Sequence, residues 1–430
     1  MSTRELLQVV PRSEIDIDAA LATVLPILAD VRDRGEVALR EYGERFDGGS
    51  PASLRVAAAD AERALADVDP AVRDALEEAI RRVRAFHEAT VPPSVSVELA
   101  PGANVSQRWV PVNRVGLYVP GGLAVYPSSV VMNVVTAQAA GVTEIAVTTP
   151  PQRDFDGAPH PTILAACALL GVTEVYAVGG AQAIGMMAYG AVAVDGSTLC
   201  EPVDVITGPG NVYVAAAKRA VNGAVGIDSE AGPTEIAVIA DDSADATFVA
   251  FDLLSQAEHD PMAGSVLITD SEALAQAVGE RLTNIVGSTK HEVRAKEALG
   301  GVQSAIILTD SIDQSIQVAD AYGAEHLEIH TRDAAAVAGR IRNAGAIFVG
   351  PHSPVPLGDY LAGSNHVLPT GGTSRFASGL GVTSFLRAVS VIEYDADALA
   401  EVGDKVIALA NAEDLPAHGE AIAVRFAREA

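Results

Sequence analysis

The sequence predicts an α/β protein that contains two parallel β-sheets. Its 430 residues exceed what one small core accommodates, and nearly half of them are apolar while few are aromatic. Alternating strand and helix patterns form two successive series, one within 118–233 and one from residue 235 to 349. Parallel strands need helical crossovers and are buried on both faces, so this alternation, rich in Ala, Val, Gly and Ile, favours parallel sheets.

The first 91 residues are predicted to be largely helical. Apolar residues recur at helical spacing through 15–45, where Pro26 starts or kinks the helix. Asp69 followed by Pro70 is the signature of an N-cap and a first helical residue. The second helix is therefore predicted to run from Pro70 to about Val91.

Strands predicted at 104–119 lead into a glycine-rich turn. The turn contains Val119-Pro120-Gly121-Gly122, and Tyr126-Pro127-Ser128-Ser129 then introduces a helix that runs to Gly141. A strand, a glycine turn, a serine cap and a helix together resemble a phosphate-binding layout. An ordinary turn between strand and helix is the alternative, because the segment has neither G-x-G-x-x-G nor a P-loop lysine.

Two further strands of this series end in glycine-rich turns. The strand at 174–178 ends in Gly179-Gly180-Ala181-Gln182, and the strand at 204–207 ends in Gly208-Pro209-Gly210-Asn211. Ligands bind at the carboxyl ends of strands in open parallel sheets. Residues 118–233 are therefore predicted to form a nucleotide-binding unit.

The second series repeats an apolar strand that ends in an aspartate, at 235–241, 265–271 and 305–311. Each aspartate is predicted to cap the next helix. A strand at 346–349 precedes a long Gly/Pro/Ser loop at 350–381, and loops of that length are usually functional. The tail is predicted to be helical from Ile392, with a break at 414–416.

Composition excludes several classes of protein. Acidic residues outnumber basic residues by 56 to 29, which argues against a nucleic acid or an anionic membrane as the main partner. The two cysteines, Cys167 and Cys200, are too few for a disulfide scaffold. With neither a signal-peptide pattern nor an apolar run of membrane-spanning length, the sequence predicts a soluble cytoplasmic protein.

The stretch from Ser255 to Pro261 contains a candidate metal site. Gln256 and His259 stand three residues apart, a spacing that places both side chains on one face of a helix. An amide oxygen and an imidazole nitrogen there could share a metal ion that accepts oxygen and nitrogen donors. The alternative is a polar helix end at which His259 interacts with the helix dipole.

Other polar residues stand in apolar or glycine-rich surroundings. Glu325 and His326 begin an apolar strand, on which neighbouring side chains point to opposite faces. His326 is a candidate general base, and a polar pair at a strand edge is the alternative. Further candidates stand in the long loop or beside the break in the tail: Asp359, His366, Glu413 and His418.

Taken together, these segments resemble the histidinol dehydrogenase family. Seven motifs carry the resemblance in the family's order: Val115-Gly116-Leu117-Tyr118-Val119-Pro120-Gly121-Gly122, Gly180-Ala181-Gln182-Ala183-Ile184, Gly208-Pro209-Gly210-Asn211, Ala231-Gly232-Pro233-Thr234-Glu235, Leu254-Ser255-Gln256-Ala257-Glu258-His259, Glu325-His326-Leu327-Glu328, and Gly363-Ser364-Asn365-His366-Val367-Leu368-Pro369. Thr234 departs from the pattern, because many members have serine there.

The resemblance implies a zinc-containing, NAD-dependent enzyme that oxidises L-histidinol to L-histidine through L-histidinal, the last step of histidine biosynthesis. The residues that match the ligands of one zinc ion per subunit are Gln256, His259, Asp359 and His418. The residues that match the acid–base pair are Glu325 and His326. Besides the zinc ligands, the residues that match substrate contacts are Thr234, His326, His366 and Glu413. The residues that match NAD contacts are Tyr118, Gln182 and Asn211.

The resemblance also implies the domain organisation. Two related, incomplete Rossmann-like domains are expected, with short N-terminal and helical C-terminal domains. The expected boundaries are an N-terminal segment at 1–21, a larger α/β domain at 22–117 with 234–378, an inserted NAD-binding domain at 118–233, and a helical tail at 379–430. In a homodimer, the tail would bring His418 to the zinc site of the other subunit.

In the expected mechanism, zinc orients the substrate, His326 removes the hydroxyl proton as hydride leaves to NAD, and Glu325 activates the water that adds to the aldehyde. No cysteine is required.

Two other classes of function remain open: a metal-dependent hydrolase and a non-enzymatic acidic ligand-binding protein. Formation of NADH from histidinol and NAD separates the dehydrogenase from both.

Overall fold

The computed structural model describes residues 3–13, 16–47, 49–121, 125–230 and 232–426. Gly122 and Ala231, which belong to two of the motifs quoted above, lie outside these ranges. The chain divides into two compact units, of which the first comprises Met1–Thr90 with Val112–Phe385 and the second Val91–Pro111 with Leu386–Ala430. The sequence-based domain boundaries differ from these units and stay a prediction.

The N-terminal part of the first unit is helical, as predicted. Its helices are α1 (Thr3–Val9), α2 (Ile17–Arg34), α3 (Glu36–Tyr42), α4 (Ala58–Asp67) and α5 (Pro70–Ala89), and a π-helical turn covers Gly43–Asp47. Pro26 lies inside α2. The side chain of Asp69 accepts a hydrogen bond from the Ala71 N–H, and Pro70 is the first residue of α5, so the predicted start of this helix is confirmed.

The next two strands, β1 (Val95–Ala100) and β2 (Ala103–Pro111), form an antiparallel hairpin of the second unit. A first parallel sheet then follows within the first unit. Its elements and their connections are β3 (Arg114–Tyr118), α6 (Pro127–Ala139), β4 (Glu144–Thr149), α7 (Pro161–Leu169), β5 (Glu174–Ala177), α8 (Gly180–Tyr189), β6 (Ala191–Val192), β7 (Thr198–Cys200), β8 (Val205–Thr207), α9 (Val212–Val221) and β9 (Gly226–Ile227). The order across this sheet is β5-β4-β3-β8-β9, and every pairing is parallel.

The second parallel sheet also belongs to the first unit. Its elements are β10 (Glu235–Ala240), α10 (Ala246–Ala257), β11 (Gly264–Thr269), α11 (Glu272–Ile285), α12 (Glu292–Gly300), β12 (Ala305–Leu308), α13 (Ile312–Tyr322), β13 (His326–His330), α14 (Ala334–Ala338) and β14 (Ala346–Val349). The order is β12-β11-β10-β13-β14, again with parallel pairings throughout.

Both sheets have the same topology, because in each the first strand lies at the centre and the order reverses beside it. This is the order of an incomplete doubly wound fold, in which the gap between the first and fourth strands is the usual ligand site. Alternate residues of β10 enter two hydrophobic clusters, with Ala237 and Ile239 in one and Ile236 and Val238 in the other. Helices therefore cover both faces of the second sheet, and the predicted α/β class is confirmed.

The remaining elements are α15 (Val355–Tyr360), β15 (Leu386–Tyr394), α16 (Ala396–Ala412) and α17 (Pro416–Ala423). In the second unit, β15 pairs antiparallel with β2 along its whole length. The predicted break in the tail is confirmed, because α16 ends before Asp414, whose φ is +57°. Among the described residues, no helix combines the length and the apolar character that crossing a membrane requires.

Three sequence-based predictions of local structure were wrong. Helix α10 is capped by Asp245, and α11 and α13 are capped by the serines that follow the strand-ending aspartates, because those hydroxyls reach the third residue of each helix. The long loop contains α15, which begins after Pro354. Ile392 lies in β15 because it pairs with Val105 of β2, so the helical tail begins only at Ala396.

Candidate active site

A cavity of about 810 Å³ lies at the carboxyl ends of the strands of the first sheet, where its strand order reverses. The three residues predicted to contact NAD, Tyr118, Gln182 and Asn211, all line it. Tyr118 ends β3, Gln182 lies in the first turn of α8, and Asn211 precedes α9. The topology thus brings together residues that are up to 93 positions apart between Tyr118 and Asn211.

Each of these three side chains is held in place by at least one hydrogen bond. The Gly180 N–H donates to the Tyr118 hydroxyl at 3.2 Å, and the Asn211 side-chain oxygen accepts from the Tyr213 and Val214 N–H groups and so caps α9. The Gln182 amide donates to Asp47 at 3.0 Å. Asn211 is the most exposed of the three.

Asp47 also lines the cavity, and no sequence motif points to it, because it ends the π-helical turn far from every motif. Burial raises the pKa of Asp47 to about 6, although hydrogen bonds from the Gly179 N–H and Gln182 favour its charged form. The carboxyl group therefore carries a proton for part of the time near neutral pH, and it can either donate or accept a hydrogen bond inside the cavity.

A buried ion pair fixes the turn after β8. The Lys218 ammonium pairs with Asp228 and donates to the Gly208 carbonyl at 3.0 Å, while the Gly208 N–H donates to the other Asp228 oxygen at 2.8 Å. The Lys218 side chain is 1% exposed. Gly208 has a φ of +116°, and a Cβ there would overlap the Tyr118 carbonyl. Lys218 thus shapes the turn and does not face the cavity.

The predicted phosphate-binding layout before α6 differs from the structure at its cap. The N-cap residue is Tyr126, which makes no capping hydrogen bond through its side chain, and Pro127 is the first helical residue. Ser129 instead lies within the first turn, and its hydroxyl is 3.1 Å from His366 Nε2. The serine predicted near the cap therefore belongs to the second candidate centre.

This second centre lies at the amino ends of strands β10 and β13. Glu325 stands just before β13, and its Oε2 accepts hydrogen bonds from the Thr234 hydroxyl at 2.5 Å and the Glu235 N–H at 3.0 Å. The Gln256 amide donates to the same Thr234 hydroxyl at 2.7 Å. Three residues from different elements therefore form one hydrogen-bonded chain: Gln256, Thr234 and Glu325.

Glu325 and His326 lie side by side. Glu325 precedes β13, so the alternation of side chains between the two faces of the strand does not apply to it. His326 Nδ1 is 3.7 Å from Glu325 Oε2, and His326 Nε2 is 4.0 Å from Asp359 Oδ1. The expectation that the two neighbours point to opposite faces was therefore wrong. Burial raises the pKa of Glu325, and His326 and Thr234 act in the opposite direction.

His366 joins this centre from the long loop. Its Nδ1 lies 2.9 Å from the Asp359 carbonyl oxygen, which orients the ring. Burial lowers the pKa of His366, and the charges of His326 and His259 lower it further, while Asp359 raises it. His259, His326, His366 and Asp359 are thus close enough to act on one another electrostatically.

The donor atoms around this centre fit a zinc ion. Gln256 Oε1 is buried and has no hydrogen-bond partner among the described residues. Because Thr234 occupies the nitrogen of the Gln256 amide, its oxygen points away from Thr234 and is available as a ligand. Amide, imidazole and carboxylate donors without a thiolate suit zinc.

His259 and Asp359, the other two predicted zinc ligands of this unit, reach the centre from different elements. Helix α10 ends at Ala257, so His259 lies in the turn beyond it and not on the helix face that the sequence predicted. The turn is closed by a hydrogen bond from the His259 N–H to the Gln256 carbonyl at 3.2 Å. Asp359 lies on α15.

The last two predicted site residues belong to the second unit. Glu413 is the C-cap of α16, and His418 lies in α17. Both are exposed.

Comparison with known proteins identifies the family. The profile of the histidinol dehydrogenase family matches residues 10–426. A protein described as histidinol dehydrogenase from Thermobifida fusca is 61% identical over 419 residues, which cover 97% of this chain and 94% of that protein. The chain belongs to the histidinol dehydrogenase family. A second relative with this description, from Nocardia farcinica, is 59% identical over 99% of this chain and 95% of its own length.

A solved histidinol dehydrogenase structure agrees with the fold. The crystal structure of histidinol dehydrogenase from Elizabethkingia anophelis superposes with a TM-score of 0.90 at 33% identity, covering 98% of this chain and 95% of that one. The resemblance found in the sequence is therefore confirmed over almost the whole chain. As a member of the histidinol dehydrogenase family, the chain is an enzyme of the oxidoreductase class.

Proposed function

We propose that this chain oxidises L-histidinol to L-histidine through L-histidinal, in two successive hydride transfers to NAD, as the last step of histidine biosynthesis. The observation that carries this proposal is the series of hydrogen bonds Gln256–Thr234–Glu325 beside His326. It places the unpaired oxygen of the Gln256 amide near two candidate acid–base groups, Glu325 and His326. Membership of the histidinol dehydrogenase family supplies the substrate.

The substrate would be held at the amino ends of β10 and β13. Zinc, one ion per subunit held by Gln256, His259, Asp359 and a His418, would supply a positive centre that orients the amine and imidazole of histidinol. The other proposed substrate contacts here, His366 and Thr234, lie beside the same space and are positioned by hydrogen bonds to Ser129 and Glu325. Glu413 completes the proposed set of substrate contacts.

His326 would act as the base in both oxidations. Its ring is buried, and its two nitrogens have no hydrogen-bond partner among the described residues, so one is available for the substrate hydroxyl. A base positioned within hydrogen-bond reach removes the proton as hydride departs. NAD, bound in the cavity lined by Tyr118, Gln182 and Asn211, would accept the hydride.

Glu325 would activate the water that hydrates the aldehyde. Burial raises its pKa, which brings a carboxylate closer to the strength that a general base needs near neutral pH. The Thr234 hydroxyl and the Glu235 N–H hold Oε2, so the other carboxylate oxygen is left to accept a proton. His326 then acts on the hydrate in the second oxidation.

We also propose a cytoplasmic homodimer in which His418 and Glu413 complete the site of the partner subunit. The exposure of both residues on α17 and at the end of α16 supports this assignment. Chains with His326→Ala and chains with His418→Ala, each inactive alone, should regain NADH production when they are refolded together. The exchange creates one intact site per hybrid dimer. Hybrid dimers that form without activity would exclude exchange.

The direct test of the proposed function is the absorbance of NADH after histidinol and NAD are added to the purified chain. Two equivalents of NADH per histidine formed are expected, together with zinc in the purified protein. Water activation by the same carboxylate, histidine and metal would also suit a hydrolase, which is the second candidate function. Turnover of histidinol without NADH would support that candidate and exclude the dehydrogenase.

A further inference from the structure

A buried carboxylate that the proposed mechanism does not use lies next to Glu325. Glu235 is the first residue of β10, and its N–H donates to Glu325 Oε2 at 3.0 Å. The hydroxyl of the preceding residue, Thr234, donates to the same oxygen at 2.5 Å. Both hydrogen bonds come from adjacent residues, so the position of this strand end helps to decide where the Glu325 carboxylate lies.

The side chain of Glu235 lies on the face of the second sheet that α13 covers. Alternate residues of a strand share one face, so Glu235 shares the face of Ala237. Ala237 packs in one hydrophobic cluster with Tyr322 of α13, whereas the residues of α10 pack in the cluster on the other face. Glu235 therefore contacts Glu325 through its main chain and leaves its own carboxylate free to bind another group.

That group is Arg12. Its Nη1 lies 3.3 Å from Glu235 Oε1 and 3.2 Å from Glu235 Oε2, and the two side chains are 23% and 8% exposed. The Arg12 Cζ lies 4.7 Å from the centre of the Tyr322 ring, which adds a cation–π attraction. The guanidinium has little room to move, because a Cβ on Gly372 would lie only 2.7 Å from Nη2.

The segment that carries Arg12 is itself anchored on both sides. Before Arg12, Leu6 and Val10 pack in the same cluster as Ala237. After Arg12, the Ser13 hydroxyl donates to the Met262 carbonyl at 2.6 Å. The backbone at Arg12 is thus fixed against the second sheet, and the guanidinium can hold Glu235 from a fixed point.

The ion pair matters because two carboxylates are buried near each other. Burial raises the pKa of Glu235 to about 7, while Arg12 lowers this pKa and the charge of Glu325 raises it. Removing one partner of a buried ion pair leaves the other charge uncompensated. Without Arg12, the carboxylate of Glu235 would have to take up a proton or move towards water, and its main chain would lose a fixed position.

We propose that Arg12 is a positioning residue for Glu325. Arg12 holds the side chain of Glu235, and Glu235 together with Thr234 holds the carboxylate oxygen of Glu325. Arg12 acts through Glu235 and not on the reacting atoms. The effect on the reaction rests on the proposed function, in which Glu325 activates the water that adds to the aldehyde.

The test compares Arg12→Gln, Glu235→Gln and the double variant in single-turnover measurements that start from histidinol and from histidinal. Arg12→Gln should slow the aldehyde step by about 10-fold, which is less than removal of the base itself, and should slow the alcohol step less. Because Arg12 acts through Glu235, the double variant should be no slower than the slower single variant. Losses that multiply in the double variant would overturn the proposal.

Arg114→Gln is the matched control. Arg114 pairs with Glu174 at the amino ends of β3 and β5, and the two side chains are 11% and 17% exposed. Loss of this ion pair should lower the stability in urea unfolding but leave the ratio of the two rates unchanged. A changed ratio in Arg114→Gln would mean that the ratio reports general damage, and this would remove the support for Arg12.

Two variants cover the case in which Arg12→Gln does not fold. A single nitrogen of Arg12 contacts both oxygens of Glu235, so the ammonium of Arg12→Lys can replace it and should keep a rate ratio close to the native one. The double variant leaves no charge of the pair uncompensated, and it should still show the slower aldehyde step. A folded double variant with the native ratio would overturn the proposal.

Amide hydrogen exchange separates this proposal from the proposed function. Exchange at the Glu235 N–H is measured without substrate, and it should be faster in Arg12→Gln but native in Arg114→Gln. If Glu325→Gln slows both steps equally, the proposed role of Glu325 fails, and faster exchange still supports the hold of Arg12 on this residue. Native exchange at Glu235 in Arg12→Gln would overturn the positioning role, whatever the rates.

Discussion

The two parallel sheets share one topology but place their proposed site residues at opposite ends. In the first sheet, the uncharged side chains of Tyr118, Gln182 and Asn211 stand at the carboxyl ends of strands and line a cavity that Asp47 and Asp154 also line. In the second sheet, Glu325 and His326 stand at the amino end of β13. Uncharged groups and helix starts suit the binding of a dinucleotide, whereas buried acid–base groups suit proton transfer.

This difference shows that the position of a ligand site in a doubly wound sheet is a property of each sheet and not of the topology alone. The rule that ligands bind at carboxyl ends locates the first cavity. It does not locate the proposed acid–base pair, which stands at the amino end of β13. The two regions should therefore respond differently to substitution, as the following predictions state.

The largest effect is expected from His326→Ala in the second sheet. Loss of a positioned general base should lower the rates of both oxidations by about 10²–10⁴-fold, while the zinc content should stay unchanged because His326 is proposed as a base and not as a ligand. Steady-state NADH assays with histidinol and histidinal, together with metal analysis, check this. His352→Ala, which changes an exposed histidine in the loop at 350–381, is the control. Stoichiometric loss of zinc from His326→Ala would contradict the assignment.

In the first sheet, the largest effect is expected from Gly208→Ala, because the added Cβ would overlap the Tyr118 carbonyl. Gly223→Ala is a matched control: its φ of +106° is similar, and nothing lies within 4 Å of its Cβ. Both variants should lose about 1–2 kcal/mol to backbone strain, and Gly208→Ala should lose more and raise the KM for NAD. Equal losses of stability with an unchanged KM would show that the turn can adjust.

Glu325→Gln should separate the two half-reactions. Only the oxidation of the aldehyde needs an activated water, so its rate should fall by about 10²-fold while the alcohol step falls less. Single-turnover measurements that start from histidinol and from histidinal compare the two steps. Equal losses of rate in the two steps would show that Glu325 does not activate the water.

Asp47→Asn should alter the pH dependence of stability. Burial raises the pKa of Asp47 from 3.8 to about 6, so between these pH values the folded chain holds a proton that the unfolded chain has released. This contribution to the unfolding free energy is present at low pH and is lost as the pH rises through about 6, with a change of at most about 3 kcal/mol.

The asparagine variant should therefore lose less stability than the native chain between pH 4 and 7 in urea unfolding. Asp154→Asn, at an exposed carboxylate that lines the same cavity, is the control and should keep the native slope. If the unfolding free energy of Asp47→Asn changed with pH as that of the native chain does, Asp47 would not hold this proton.

The smallest effect is expected from Cys167→Ser and Cys200→Ser. Both thiols are buried, and burial raises the pKa of Cys167 to about 12 and also raises the pKa of Cys200. A raised pKa disfavours the thiolate that nucleophilic catalysis requires. NADH assays should show most activity retained, and a loss of orders of magnitude in a folded variant would require a cysteine in the mechanism.

The sequence predicted features that depend on neighbouring residues better than features that depend on tertiary contacts. Alternating strand and helix patterns identified both sheets, and Asp69 with Pro70 located the start of α5. Helix α15 escaped prediction because six residues among Pro and Gly carry no helical period. The sequence does not distinguish the strand-ending aspartates from the serines that follow them, because serine and aspartate have similar cap propensities.

Motif-bearing site residues could be identified from sequence, but their partners could not. Thr234, Gln256 and Glu325 each stand in a recognisable motif, yet their hydrogen-bonded chain depends on the pairing of β10 with β13. Asp47 and Arg12 lie outside any motif and reach their partners only through packing.

The buried lysine below the first cavity gives the molecule a built-in chemical reporter. The chain has four lysines, and Lys290, Lys296 and Lys405 are exposed while Lys218 is closed in by Asp228 and Gly208. An amine-acylating reagent should therefore modify three lysines quickly and Lys218 only when the turn after β8 opens. The labelling rate at that single position measures how often this turn opens, and no residue has to be changed for the measurement.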